Sequence, residues 1–262
     1  MTPDKLAVVA SSADVYVAAS VARWDGVRRP GQSIVEEPGL RGLLFRAEDL
    51  RSRLLVTDDR AYDALAGVLP DIRSGTVTVF AEAKRCSELL QGDPAWNCET
   101  ATAMIRRELR SLPALPLPGN LTLQPVRRLA EDPPGGVPLD DALALAVRAD
   151  PRISDPPTAI AAFLSSLPPS THLLAAVDGV ATVRATSGSS VFGAAASVFF
   201  VNTDPDWRGL GIGQAMTAAA LRSAREAGAK YARLDATEAA VGIYSRLGFE
   251  TVAPIIRFSR NG

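Results

Sequence analysis

A glycine-rich bend between a strand pattern and a helix pattern constrains this 262-residue chain more than any other stretch. It runs Val201-Asn202-Thr203-Asp204-Pro205-Asp206-Trp207-Arg208-Gly209-Leu210-Gly211-Ile212-Gly213. Before it, Ala194 to Val201 is apolar, rich in Val and Phe, and bounded by Gly193, which predicts a buried strand. After it, Gly211 to Ala227 sets Ile212, Ala215, Met216, Ala219, Ala220 and Ser223 on one side and Arg222, Arg225 and Glu226 on another. That is the pattern of an amphipathic helix, and Gly228 stands where a C-terminal cap needs positive φ. Alternating glycines let successive N–H groups converge, and the helix N-terminus adds partial positive charge. The result is a seat for an anion such as a pyrophosphate. Arg208 beside it is expected to pair with phosphate oxygens.

Two glycine-loop chemistries fail on the residues. A Walker-type loop ends in Gly-Lys-Ser/Thr, where this chain has Ile212-Gly213-Gln214. A dinucleotide fingerprint needs a third glycine where Gln214 or Met216 stands, depending on the start. The run V-x-T-x-P-x-x-R-G-x-G-x-G instead resembles the coenzyme A signature of the GNAT superfamily of N-acetyltransferases, with Arg208, Gly211 and Gly213 as its R-x-x-G-x-G core.

Bulk properties narrow the classes. A hydrophobic content of 47% supports a real core, and a net charge of −1 implies no basic face, so nucleic acid is not expected as a partner. Cys86 and Cys98 are too few for a disulfide framework, which points to a reduced, cytoplasmic setting. The start shows no signal-peptide pattern, and no apolar stretch reaches the roughly 20 residues of a membrane helix. One histidine and two distant cysteines give no metal-ligand spacing, so no metal is expected.

Taken in order, residues 1–111 read as a smaller α/β domain. It carries a helix over Asp14–Ala22, strands at Gln32–Val35, Gly42–Phe45, Leu54–Val56 and Gly75–Phe80, and helices at Ala61–Val68 and Ser87–Leu90; Trp96–Leu109 is ambiguous. The order from Leu54 to Leu90 echoes the order from Phe199 to Leu247. The block reads equally as a worn copy of the same fold or as an unrelated α/β domain. Its bend, Thr57-Asp58-Asp59-Arg60, puts two carboxylates where phosphates would sit and would repel them. Residues 112–120, with Pro113, Pro116, Pro118 and Gly119, form a linker. From 121 to 262 the pattern gives a strand at Leu121–Val126, a loop over Arg127–Pro138 and a helix at Leu139–Ala149. The inner face of that helix carries Leu139, Ala142, Leu143, Ala146 and Val147. A second helix starts near Pro156, and a hairpin turns at Asp178-Gly179 as a type I′ turn. Next come the strand, bend and helix above, a strand over Lys230–Ala236, a short helix over Glu238–Leu247, and final strands within Phe249–Arg257. This β-α-α-β-β-β-α-β-α-β-β order is similar to the GNAT fold: a mixed, mostly antiparallel sheet flanked by helices.

Leu234 to Phe249 looks like the GNAT element ending in Y-x-x-L-G-F, with Thr237 where many members carry Asn. The resemblance implies acetyl-CoA as co-substrate, held by Phe200, Val201, Thr203, Arg208, Gly209, Leu210, Gly211, Ile212, Gly213, Thr237 and Tyr244. It also implies that the pantetheine arm slots between two splayed strands, and that Tyr244 is the general acid. The chemistry agrees, since aminolysis of a thioester expels a thiolate and a phenol of ordinary pKa about 10 can protonate it. A backbone N–H on the strand ending at Val201 is expected to receive the oxyanion. No carboxylate stands on that strand, and His172, Asp235 and Glu238 are weighed as bases with none chosen. With no cysteine after residue 98, transfer is expected to be direct, in a ternary complex. The acceptor is a small-molecule amine, a peptide N-terminus or a lysine, and a homodimer stays open. The alternative from another class is a non-catalytic acyl-CoA-binding sensor or interaction module.

Overall fold

In a computed structural model of the chain, residues 11–25, 32–45, 52–128, 132, 135–150, 153, 157–165 and 167–260 are described; Pro133, Pro134 and Pro156 lie outside them. The described residues gather into two compact units, neither of them one continuous segment. One draws on residues up to Met104, on Asp235–Val241 and on Thr251 onward; the other takes Ile105–Leu234 and Gly242–Glu250.

The first unit contains helix α1 (Ser12–Asp25), strands β1 (Gln32–Glu37), β2 (Leu40–Phe45) and β3 (Ser52–Val56), helix α2 (Tyr62–Val68), strand β4 (Gly75–Phe80) and helix α3 (Lys84–Gln91). It also holds most of β5 (Asn97–Arg106) and of β12 (Glu250–Arg260). Strands β1, β2 and β3 pair antiparallel in sequence, β3 and β4 run parallel, and β12 lies antiparallel to β4 with Ile255 opposite Phe80. The period-two alternation of buried strands sorts the core. Leu54, Val56, Val77, Val79 and Phe258 pack with Leu65 and Leu90 of α2 and α3. Leu55, Phe80 and Ile255 pack with Tyr16 of α1. The ambiguous stretch after Trp96 is a strand, and one 11-residue strand, β12, stands where more than one was expected.

The second unit is laid out as β6 (Thr122–Arg127), β7 (Val137–Pro138), α4 (Leu139–Ala149), α5 (Pro157–Ser165), β8 (Thr171–Val177), β9 (Val183–Phe192), β10 (Ala195–Thr203), α6 (Ile212–Glu226), β11 (Tyr231–Ala236) and α7 (Glu238–Arg246). The last two elements pass into the other unit for part of their length. Its strand order is β11-β10-β9-β8-β6-β7, antiparallel except where β10 meets β11 and β6 meets β7. Helices α4 and α5 cover one face, with Leu143, Leu145 and Leu164 on Leu173, Ala175 and Val177. Helix α6 covers the other, where Ile212 and Met216 meet Ala176 and Ala185. Burying each such aliphatic side chain is worth roughly 1.5–3 kcal/mol.

Two local expectations are corrected. Val147 of α4 is 38% exposed, and Leu145 is buried in its place, because the inner stripe lies one position round the helix. The hairpin after β8 does not close at Asp178-Gly179. Asp178 N–H donates to Thr182 O at 3.0 Å, leaving a three-residue loop with Ala181 at φ +62°. The Asp178 carboxylate selects that longer loop by accepting from the N–H groups of Val180 and Thr182 at 3.0 and 2.9 Å.

Candidate functional site

Strand β10 follows β9 in regular register as far as Phe199 opposite Gly188, then resumes with Asn202 opposite Thr186. One extra residue is absorbed between, and Phe200 sits at φ +58°. A side-chain-bearing residue rarely adopts that region, and bulges of this kind re-aim main-chain groups. Local chemistry holds it: Thr186 Oγ1 donates to Phe200 O at 3.0 Å, and Asn202 Nδ2 donates to Thr186 Oγ1 at 3.2 Å. Gly188 opposite is required by crowding, because a Cβ there would meet Leu173 at 2.6 Å and the Phe199 ring at 3.2 Å.

On its other side β10 pairs with β11 only from Ala195–Tyr231 to Ser197–Arg233. Beyond that, β11 passes into the other unit after Leu234, and β10 continues to Thr203. That run of β10, with the bulge in it, presents main-chain groups to an extended chain as a sheet edge does.

The bend follows. Asp204 caps a 3-10 turn, Pro205–Trp207, by accepting from Asp206 N–H at 3.2 Å. Gly209 and Gly211 have φ of +79° and +78°, with open space where a Cβ would point, so the backbone alone demands glycine there. Gly211 caps α6, whose first hydrogen bond runs from Ala215 N–H to Gly211 O at 3.0 Å. The first N–H groups of a helix have no acceptor within it and carry its positive end. Gly213 allows close approach, since its Cβ would lie 3.4 Å from Thr203 Oγ1. Ile212 is 1% exposed, so only its main chain can face a ligand, whereas Leu210 stands 56% exposed on the outside of the bend. The Arg208 side chain donates to Ala149 O at 2.6 Å and to Thr203 O at 3.4 Å, which ties the bend to the end of α4.

Beneath the bend lies a carboxylate that the sequence reading passed over. Asp204 is buried and accepts from Arg184 Nη1 at 3.0 Å and Arg148 Nη2 at 2.9 Å. Burial works to raise its pKa, but these two arginines and the Asp206 N–H prevail and hold it below the usual carboxylate range. Arg184 also donates to Asp178 at 2.8 Å and lies 5.1 Å over the Trp207 ring. The Asp204-Pro205 pair, a capping residue ahead of Pro at the first position of the turn, was the signal that could have found it.

Tyr244 lies near the end of α7, buried, with its ring edge-on to Phe249 at 6.0 Å. Burial pushes its phenol up to about 12. The L-G-F residues close the helix: Leu247 and Phe249 N–H donate to Tyr244 O at 2.9 and 3.0 Å, Gly248 takes φ +78°, and both apolar neighbours are buried. Thr237 heads the same helix through its carbonyl, which accepts from Ala240 and Val241 N–H, and it falls in the first unit. Of the residues weighed as bases, His172 is exposed on β8 and Glu238 is exposed in the first turn of α7. Asp235 is already an acceptor, taking a hydrogen bond from the Tyr16 hydroxyl and one from Arg257 Nη2 at 3.0 Å. Among the described residues no group of three or more His, Cys, Asp or Glu side chains is placed to hold a metal, and no helix is long and apolar enough to cross a membrane.

Comparison with known proteins bears on the family and the fold. Residues 169–251 match the family model described as an acetyltransferase (GNAT) domain. A 55-residue stretch is 46% identical to a mycothiol acetyltransferase of Nocardiopsis dassonvillei, and it spans 20% of this chain and 17% of that protein. Among solved structures, a GCN5-related N-acetyltransferase from Kribbella flavida superposes with a TM-score of 0.60 at 23% identity, covering 94% of this chain and 95% of that one. Another from Sphaerobacter thermophilus gives 0.56 at 15% identity, covering 85% and 76%. A tandem GNAT protein from the clavulanic acid biosynthesis pathway gives 0.50 at 13%, covering 95% and 88%. At these identities the superpositions establish the fold alone.

Proposed function

From the GNAT acetyltransferase domain that this chain carries at residues 169–251, we propose that it moves an acetyl group from acetyl-CoA to a primary amine by direct attack in a ternary complex. The observation that carries this reading is the run of β10 beyond its last pair with β11, which holds the Phe200 bulge and leads into the Gly209–Gly213 bend. An acyl-pantetheine chain fits along that run as an added strand, and its diphosphate fits the amides at the head of α6. In this reading Phe200, Val201 and Thr203 line the arm, and Arg208 through Gly213 surround the diphosphate. A main-chain N–H of β10 receives the oxyanion as the amine nitrogen bonds to the carbonyl carbon. Collapse breaks the carbon–sulfur bond, Tyr244 donates its proton to the departing thiolate, and the proton shed by the amine nitrogen returns through solvent to the Tyr244 phenolate, leaving the amide and the coenzyme A thiol. A phenol pushed up to about 12 keeps that proton at every working pH, so it is always in the donating form.

The test is in two parts. Acetyl-CoA raises the melting temperature of the full chain, and no shift defeats the coenzyme assignment. Thiol release is then screened against small amines, N-terminal peptides and lysine peptides, with mycothiol-related amines first because of the partial likeness above. Tyr244→Phe lowers kcat by about a hundredfold, the lower end of acid–base contributions, with acetyl-CoA affinity nearly unchanged. The wild-type kcat shows no alkaline fall from this group below about pH 11, since loss of activity would have to follow ionisation near 12. Unchanged turnover in Tyr244→Phe removes its acid role, and tight cofactor binding with no release to any acceptor leaves a binding module.

A further inference from the structure

Two arginines link the bend to the end of α4 in opposite directions. Arg148, in the last turn of α4, reaches Asp204 ahead of the bend at 2.9 Å, and Arg208, within the bend, reaches back to Ala149 O at 2.6 Å. Asp204 is the hub. Its side chain takes both Arg148 and Arg184, its N–H donates to Arg184 O at 2.8 Å, and its carbonyl accepts from Trp207 N–H at 2.9 Å. It is 3% exposed and stands five residues ahead of Gly209.

The charges make its role decidable. Asp178, Arg184, Asp204 and Arg148 form a chain of alternating sign: Arg184 bonds both aspartates, and Asp204 bonds both arginines. The chain is neutral as a whole and brings no net attraction for an anion. A buried carboxylate beside a diphosphate seat is by itself repulsive. If the carboxylate mattered only through its charge, removing it would improve anion binding.

We infer that Asp204, held by Arg148 and Arg184, is a positioning residue that fixes the main-chain amides of residues 209–213 in their anion-binding arrangement without touching the ligand. This rests on the coenzyme reading above. It predicts that Asp204→Asn weakens acetyl-CoA binding although it leaves the site more positive by one charge. The expected loss is about tenfold in Kd, the size of one charge-assisted hydrogen bond. Arg148→Met, at a half-exposed side chain, weakens binding by about fivefold by the same route. Both losses persist between 50 and 300 mM NaCl, where a bare charge effect shrinks.

The experiment combines isothermal titration of the full chain with acetyl-CoA at the two salt concentrations and hydrogen–deuterium exchange of the ligand-free chain over peptides covering 201–214. Faster exchange in both variants, with salt-insensitive weakening, supports the inference. Three results overturn it: Asp204→Asn binding as tightly as wild type or tighter, an Arg148→Met loss that disappears at 300 mM, or unchanged exchange over 201–214. Should Asp204→Asn fail to fold, Arg148→Met decides through exchange and salt dependence. A wild-type chain that does not bind acetyl-CoA defeats the coenzyme reading instead, while exchange still reports on the staple.

Discussion

Strands β3 and β4 are parallel neighbours joined through a bend and a helix, and so are β10 and β11, yet only one pair is open. The first pair is zipped for its whole length, from Ser52–Gly75 to Val56–Val79. The second pairs for three residues and parts. Their bends differ in kind. After β3, Asp58 accepts from Arg60 N–H at 3.1 Å, binds the Arg60 guanidinium at 2.8 and 2.9 Å, and so caps the short turn with a charge of its own. Asp59 accepts from Cys86 N–H at 3.2 Å, at the head of α3. After β10, glycines at positive φ lead into α6, which no side chain caps; of the two carboxylates in this bend, Asp204 is turned inward under two guanidiniums and Asp206 is exposed ahead of the glycines. One arrangement supplies its helix termini with anions from its own side chains; the other leaves that place to a ligand. The shared order of elements therefore does not decide whether such a unit binds. The residues of the bend and the length of the strand pairing do.

Breaking the open bend has the largest expected effect. Gly211→Asp forces a branched residue to φ +78° and sets a charge among the amides, so acetyl-CoA affinity falls by at least about a hundredfold and the melting shift disappears. Gly211→Ala, with open space around its Cβ, carries only the backbone cost and loses about tenfold. If the two variants weaken binding equally, the seat does not read charge and the contrast with the first bend fails.

A smaller effect sharpens the closed side. Cys86 is buried, and its thiol is pushed up to about 11, first by burial and then by the Asp59 charge. At pH 8 the exposed Cys98 reacts with a disulfide reagent at once, and Cys86, buried and nearly all thiol, reacts slowly. Asp59→Asn removes the lesser cause, so Cys86 reacts a few times faster while remaining slow. A rate equal to that of Cys98 would show that the carboxylate, not burial, shields it.

Much of the backbone geometry around the open bend was legible because it is local. The strand, bend and helix around Gly211, the stop at Gly248 and the cap at Gly228 each follow from a few neighbouring residues with particular φ demands. The hairpin after β8 misled because Asp178-Gly179 is a short-turn signal that the Asp178 side chain overrides through bonds two and four residues on. Val147 and Leu145 were exchanged because periodicity fixes a stripe only to within a position. What no pattern carries is pairing between distant segments. Ile255 opposite Phe80, Asp235 bound to Tyr16 and Arg257, and Asp204 gathering Arg148 and Arg184 are all choices among many compatible partners. The early end of the β10–β11 ladder is carried by no local pattern either, since an apolar strand reads the same whether or not its neighbour stays beside it; the splayed pair was expected from the family resemblance alone.

The weakest effect probes whether the closed bend really contains its own anion. The Arg60 side chain bonded to Asp58 holds that carboxyl at about 2, against roughly 3.9 in an unfolded chain. A pKa lowered by folding adds stability that is complete above the unfolded value and is lost as pH falls toward the folded one. Both partners keep water contact, so the contribution stays below about 1 kcal/mol, a few degrees of melting temperature at most. Asp58→Asn is therefore slightly less stable than wild type at pH 6, and the two melting curves converge as the pH is lowered from 4 to 2. A gap that stays constant across that range would mean that Asp58 acts through the uncharged cap geometry it shares with Asn. The charge contrast between the two bends would then rest on Asp59 alone.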